Sequence, residues 1–198
     1  MNKKHTEPIL PDRYYHIFNR GINDESIFKN DNNYFYFLQK LKQYIQPIAS
    51  IYSYCLMSTH FHFLVKIKNE QEIRTIFNDD KNTNHTIETI ISQQFSNFFN
   101  GYSQAINKMF TRTGSLFETP FRRKEITSNE YLTQIILYIH LNPIKHKLSI
   151  DYKTFLYSSY HAIINSNTIE SNKVIEWFGN KNDFIQNHDL FFEIYKLK

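Results

Sequence analysis

With 198 residues, 41% of them hydrophobic, the chain is sized for one domain around a single core, or one domain with a short extension. Aromatics reach 17%, from 18 Phe, 14 Tyr and 1 Trp, which excludes collagen-like, coiled-coil and disordered chains and leaves rings to fill a core or stack on a ligand. The formal charge of +4 tilts toward a polyanionic partner, whereas the single cysteine, Cys55, excludes an internal disulfide and a cysteine-based zinc cluster and fits a reducing cytoplasm. Gly21, Gly101, Gly114 and Gly179 are the only glycines, so no Gly-rich nucleotide cradle exists. The first residues, MNKKHTEPILPDRYY, lack the apolar run of a secretion signal, and no segment is long and apolar enough to span a bilayer. Neither secretion nor membrane insertion is expected.

Taken in chain order, the first predicted strand is Arg13 to Asn19, RYYHIFN, closed by Arg20-Gly21. A helix follows, capped by Asp31, with Tyr34, Phe35, Leu38, Leu41 and Ile45 on its apolar face and Pro47 as its stop. Ile48 to Met57 and His60 to Lys68 read as two strands of a hairpin joined by Ser58-Thr59. Asp79 to His85, DDKNTNH, reads as a polar loop before a long helix whose stripe runs from Ile87 to Phe110. Phe121 to Ile126 is the next strand. Thr127 and Glu130 form a capping box for a helix from about Ser128 to Asn142, which Pro143 should stop. Two short helices around Val174 to Phe178 and Asp183 to Tyr195 lie in the remainder.

Strand, helix, strand, strand, helix, strand is the order of an α+β, ferredoxin-like split βαβ sandwich. In this reading the antiparallel sheet carries helices on one face, an added helix bears a tyrosine, and residues 1–149 form the domain that 150–198 extend.

The informative stretch is LMSTHFHFLVKIK, Leu56 to Lys68. From His60 the alternation is strict, so Phe61, Phe63, Val65 and Ile67 face one way and His60, His62, Leu64, Lys66 and Lys68 the other. At about 3.3 Å rise per residue the two histidine α-carbons lie about 6.6 Å apart, close enough for both rings to reach one divalent ion. A pair of surface histidines on a solvated strand has the same spacing. On the capped helix, Leu132, Ile135, Ile136 and Ile139 form the buried stripe, and Gln134, Tyr138 and Asn142 lie on its flank. Tyr138 and Asn142 could project together toward a facing sheet, or simply pack the core and end the helix. A tyrosine ionises near pH 10, so its attack on a phosphodiester needs a polarised target, and a divalent cation held by His60 and His62 with Asn142 could polarise one. Arg20, Arg112, Arg122, Arg123, Lys124 and Lys145, with His146 and Lys147, surround these segments as candidate phosphate contacts or as an ordinary solvated charge run.

YHIFNRG, HFH within CLMSTHFHFLVKI, GSLF, EYL, YIHLNP and SSY, in that order, resemble the single-tyrosine HUH transposases, closest to the REP-associated tyrosine transposases. The likeness covers about Arg13 to Tyr160. It implies that His60 and His62 are metal ligands, that Tyr138 is the nucleophile forming a 5′-phosphotyrosine link, and that Asn142 is a further polar ligand. It also implies single-stranded or hairpin DNA as partner, magnesium or manganese as cofactor, DNA transposition and recombination as the outcome, and a monomer or homodimer. Ser58-Thr59 stands where the family usually has Pro-Asn, and Glu118-Thr119-Pro120 follows GSLF in place of a Gln-Gly-Arg-like continuation. A non-catalytic DNA-hairpin-binding protein and a structural zinc-binding module are the competing functions.

Overall fold

The computed structural model describes residues 7–78, 85–165 and 170–196. The expected loop at Asp79 to His85 therefore lies, except for His85, outside the described residues. Strands β1 (Tyr14–Arg20), β2 (Ala49–Met57), β3 (His60–Ile67) and β4 (Arg122–Ile126) form one antiparallel sheet in the order β2-β3-β1-β4. Helix α1 (Asp31–Tyr44) connects β1 to β2, and α2 (Glu70–Phe77) and α3 (Ile87–Met109) connect β3 to β4. This is the ferredoxin-like arrangement, in which β3 lies between β1 and β2 and runs against both.

The period-two alternation of β3 divides the molecule. Phe61, Phe63, Val65 and Ile67 join Ile17 of β1 in a core with Phe37 and Leu41 of α1 and with Ile91, Phe95 and Phe98 of α3. Leu64 and Met57 face the opposite side, where α4 (Asn129–Lys145) packs through Leu132, Ile135, Ile136 and Ile139. The chain after residue 150 closes this second core: α5 (Tyr160–Ile164), α6 (Ser171–Phe178) and α7 (Lys181–Lys196) contribute Tyr160, Ile163, Val174, Phe184 and Phe192. Helices thus cover both faces, the tyrosine helix lying opposite α1 and α3.

Local details differ from the sequence expectation in instructive ways. The cap of α1 is Asn30, whose side chain accepts from Asn33 N–H, and the cap of α4 is Ser128, which accepts from Tyr131 N–H. On α1 the buried row is Asn33, Phe37 and Leu41, at i, i+4 and i+8, while Phe35 is 65% exposed. Helix α4 also continues past Pro143. The proline sits in its last turn, where few hydrogen bonds depend on it, and His146 N–H still donates to Asn142 O. That extra turn carries Lys145 and His146 beyond the expected stop.

A register shift between Ile51 and Ser53 makes Tyr52 a bulge residue, so Tyr52 and Ser53 both serve the α4 side. Gly21 is required by close approach, since a Cβ there would lie 2.1 Å from the Glu25 carbonyl oxygen. The segment after it pins the β2–β3 turn, with Gly21 N–H donating to Thr59 O, and Ile27 and Phe28 N–H both donating to Ser58 O.

Candidate functional site

Cross-strand register gathers the chemistry on the α4 side of the sheet. Phe18 lies opposite His62 and Arg20 opposite His60 across β1–β3, while Phe18 lies opposite Arg122 and His16 opposite Lys124 across β1–β4. One sheet face therefore presents His16, Phe18, Arg20, His60, His62, Arg122 and Lys124.

His16, Phe18 and His62 form a group of nearly parallel rings, with interplanar angles of 17° to 22° and centroids 4.7 to 5.6 Å apart. Tyr138, half-buried on α4, meets this group edge-on: its ring centroid is 5.7 Å from that of His62 at 86° and 5.9 Å from that of His16 at 82°. The Lys145 ammonium lies 5.2 Å from the centre of the Tyr138 ring. His60 stands beside His62, with centroids 5.5 Å apart, and meets His146 at 4.3 Å. Tyr138, His60, His62 and His146, with Phe18, Arg20, Arg122 and Lys145, line a cavity of about 430 Å³.

The hydrogen bonds set which nitrogens are available. His62 Nδ1 is 2.9 Å from His16 Nε2, and His60 Nδ1 is 3.0 Å from the Thr59 hydroxyl. If each Nδ1–H donates, both Nε2 lone pairs remain for another electrophile. His60 Nε2 is buried without a hydrogen-bond partner. Burial, with the neighbouring His146 and Arg20, pushes His60 down to about 4, and burial beside His16 holds His62 well below its ordinary value. Both imidazoles are accordingly neutral at physiological pH, the form that ligates metals.

Asn142 lies one turn beyond Tyr138, fully buried and outside the wall of the cavity. Its amide nitrogen donates to Tyr138 O at 2.8 Å, and its Oδ1 is buried without a partner. Among the described residues no group of three or more His, Cys, Asp or Glu side chains is gathered for a metal ion. His60 Nε2 and Asn142 Oδ1 are buried polar atoms without a partner, and imidazole nitrogen with amide oxygen is a donor chemistry that a divalent ion accepts, with Asn142 standing behind the cavity wall that the two histidines line.

The cationic residues separate into groups. Arg20 and Arg122 border the cavity and share one carboxylate: Arg20 Nε is 2.6 Å from Glu118 Oε1, and Arg122 Nη2 is 3.0 Å from Glu118 Oε2. Lys145 lines the same cavity, and Lys124, on the same sheet face, donates to the Tyr131 hydroxyl at 2.7 Å. Arg123 alternates to the opposite face, against Phe121 and the Glu7 carbonyl. Arg112 stands apart, holding Glu25 and Asn107.

His16 enters the site without having been singled out from the sequence, and His146, expected only as one of the charged residues after the tyrosine helix, enters it as a ring neighbour of His60. Alternation along RYYHIFNR places His16, Phe18 and Arg20 on one face, which is a usable signal for His16. The position of His146 beside His60 had no such signal, because it depends on the helix running through Pro143.

With this geometry in hand, the fold can be compared with known proteins. A solved structure of a REP-associated tyrosine transposase bound to a REP hairpin matches with a TM-score of 0.60. The match covers 83% of this chain and 86% of that one at 13% sequence identity. At that identity it is the architecture that is shared. No protein-family model matches the chain, and no curated protein does. Among the described residues, no helix is long and apolar enough to cross a membrane.

Proposed function

We propose that this protein is a transposase-like DNA strand transferase, in which Tyr138 attacks a phosphodiester of single-stranded or hairpin DNA. The observation that carries this reading is the edge-on packing of Tyr138 against His62 in a cavity bordered by Arg20, Arg122 and Lys145. A nucleophile, neutral imidazoles and cations thereby share one space that is open to a strand. The solved neighbour is itself a transposase bound to a DNA hairpin, which supports DNA as the partner.

His60 and His62, which line the cavity, would hold a divalent ion through Nε2, and Asn142 Oδ1, orphaned behind the cavity wall, is the candidate for a third donor. Manganese suits imidazole nitrogen better than magnesium does. When bound, such an ion would supply Lewis acidity to the phosphodiester that Tyr138 attacks.

The chain's own residues do the rest. Arg20, Arg122 and Lys145 attract the phosphate and orient it at the cavity. Packing against His16 and His62 restricts the Tyr138 ring, so the phenol oxygen is held in place before the strand arrives. Attack forms a Tyr138 Oη–P bond and breaks the P–O3′ bond. The phenol proton passes to solvent, the released 3′-oxygen takes up a proton, and the 5′ phosphoryl group stays on Tyr138. Reversal by a second 3′-hydroxyl restores a phosphodiester and regenerates the phenol. The bond energy is kept for rejoining instead of being lost to water.

The test is a denaturing gel of labelled, hairpin-bearing oligonucleotides incubated with manganese, including sequences flanking the protein's own locus. Wild-type protein is expected to give a covalent adduct that Tyr138→Phe and His62→Ala abolish, with DNA affinity retained in Tyr138→Phe. No adduct on any oligonucleotide, or an adduct persisting in Tyr138→Phe, overturns the reading.

A further inference from the structure

A second cavity, of about 590 Å³, adjoins the first and shares Phe18 and Tyr138 with it. Its wall is mainly apolar. Phe18, Tyr131 and Phe191 supply aromatic rings, Ile135 and Leu137 supply aliphatic surface, the buried His16 ring lies at the back, and Gln134 and Lys124 stand among them as the exposed polar side chains. Tyr131 has its hydroxyl engaged by Lys124 at 2.7 Å, with the ammonium 4.6 Å from the ring centre, so the pair is already braced. Gln134 projects from the exposed flank of α4, one turn before Tyr138.

We propose that this second cavity receives one unstacked nucleobase of the DNA strand, from the nucleotide adjoining the phosphodiester that Tyr138 attacks. The inference rests on the strand-transfer reading and adds to it a recognition subsite for a base. Three features of the wall select that occupant. A base is a flat, apolar-faced ring with a polar edge, and the cavity combines aromatic and aliphatic walls with a single side-chain amide able both to donate and to accept. The two cavities differ in the way a nucleotide does: Arg20, Arg122 and Lys145 border the one with His60 and His62, where the phosphate belongs, whereas rings and aliphatic side chains dominate the other, with Lys124 its one cation. They also meet at Tyr138, so a strand seated for attack must place a neighbouring nucleotide close to the second opening.

Phe191 belongs to α7, so the segment beyond residue 150 builds part of this wall as well as part of the core. That gives the C-terminal helices a role in substrate choice.

The experiment uses full-length protein and a hairpin oligonucleotide that wild-type protein converts to a covalent adduct. Single abasic substitutions are placed at each of the two nucleotides on either side of the cleaved bond. Affinity is read by fluorescence anisotropy, and 2-aminopurine at the same positions reports stacking. In wild-type protein one abasic position should weaken binding on the order of tenfold, as expected for loss of one base–aromatic stack, and 2-aminopurine there should be quenched. In Phe191→Ala the quenching and the abasic penalty should both shrink at that position alone. Gln134→Ala changes an exposed side chain and leaves the core intact; it should flatten the preference among the four bases there, lowering adduct yield on the preferred base toward that on the other three. An abasic penalty and base preference identical in wild type and both variants, with adduct formation intact, overturn the base subsite and leave strand transfer standing. Failure of every oligonucleotide to form an adduct overturns the two together.

Discussion

His16 Nε2 lies 2.9 Å from His62 Nδ1, and the two rings stack with their planes 17° apart. His16 is buried on β1 and His62 on β3, so this bond joins neighbouring strands as well as two imidazoles. In the tautomer where His16 accepts, the His62 proton is kept on Nδ1 and the His62 Nε2 lone pair is left for a metal. His16→Ala should lower manganese affinity about 10–100-fold by calorimetric titration, with DNA affinity unchanged. His16→Gln, whose carbonyl can accept the same proton, should recover part of the loss.

Glu118 engages both guanidinium groups of the cavity border, and Asp24, which lines the cavity, pairs with Arg20 as well. The two carboxylate oxygens of Glu118 hold Arg20 and Arg122, so a phosphate entering the cavity competes with this carboxylate for both guanidinium groups. Glu118→Gln should tighten binding to single-stranded DNA at low salt. It should also steepen the dependence of log affinity on log salt by about 0.7 for each phosphate gained. Arg122→Gln should do the reverse. An unchanged slope in both variants would take the strand away from this border.

Arg112 and Arg123 should behave differently from Arg122. Arg112 is an anchor for Glu25 and Asn107, and Arg123 occupies the other face of the sheet. Replacing either with Gln should leave the salt slope of DNA binding at its wild-type value, whereas Arg112→Gln should lower the melting temperature.

Acid should loosen the clamp between α4 and α7. His188 Nδ1–H donates to Phe184 O at 2.7 Å, so its Nε2 accepts from His140 Nδ1–H at 2.8 Å, and His140 Nε2 accepts in turn from the Ser159 hydroxyl at 2.8 Å. Both rings are neutral in this chain of bonds. Burial pushes His188 down to about 4, and burial together with His188 holds His140 well below its ordinary value. Below about pH 6.5 the unfolded chain takes up protons that the folded chain refuses, so the stability present above that pH declines toward about pH 4. Thermal melts should therefore show a lower midpoint at about pH 5 than at about pH 7.5, with His188 alone worth about 2 kcal/mol at the lower pH. His188→Leu should be less stable near neutrality, because His140 loses its acceptor, and less sensitive to acid.

Much of the site was legible locally. Alternation in HFHFLVKI sends His60 and His62 one way and the phenylalanines the other, because successive residues of a strand must point to opposite faces. The spacing of Leu132, Ile135, Ile136 and Ile139 orients α4, and Tyr138 follows on its flank. The strand and helix order was enough for a ferredoxin-like sheet. The caps of α1 and α4 each moved by one residue, since adjacent Asn-Asp and Thr-Ser pairs offer two oxygens and only the backbone path selects one.

Length, composition and periodicity thus determined the element order, the two faces of β3 and the flank on which Tyr138 stands, because each follows from backbone geometry within a few residues. Only the tertiary structure decided that His16 supports His62 across 46 positions, that Glu118 holds Arg20 across 98, that Arg112 and Arg123 leave the cavity, and that Phe191 closes a wall beside Tyr138. Those contacts depend on strand register, on the bulge at Tyr52 and on how α7 packs against α4. All three are set by burying distant surfaces together, and no local pattern in the chain encodes them.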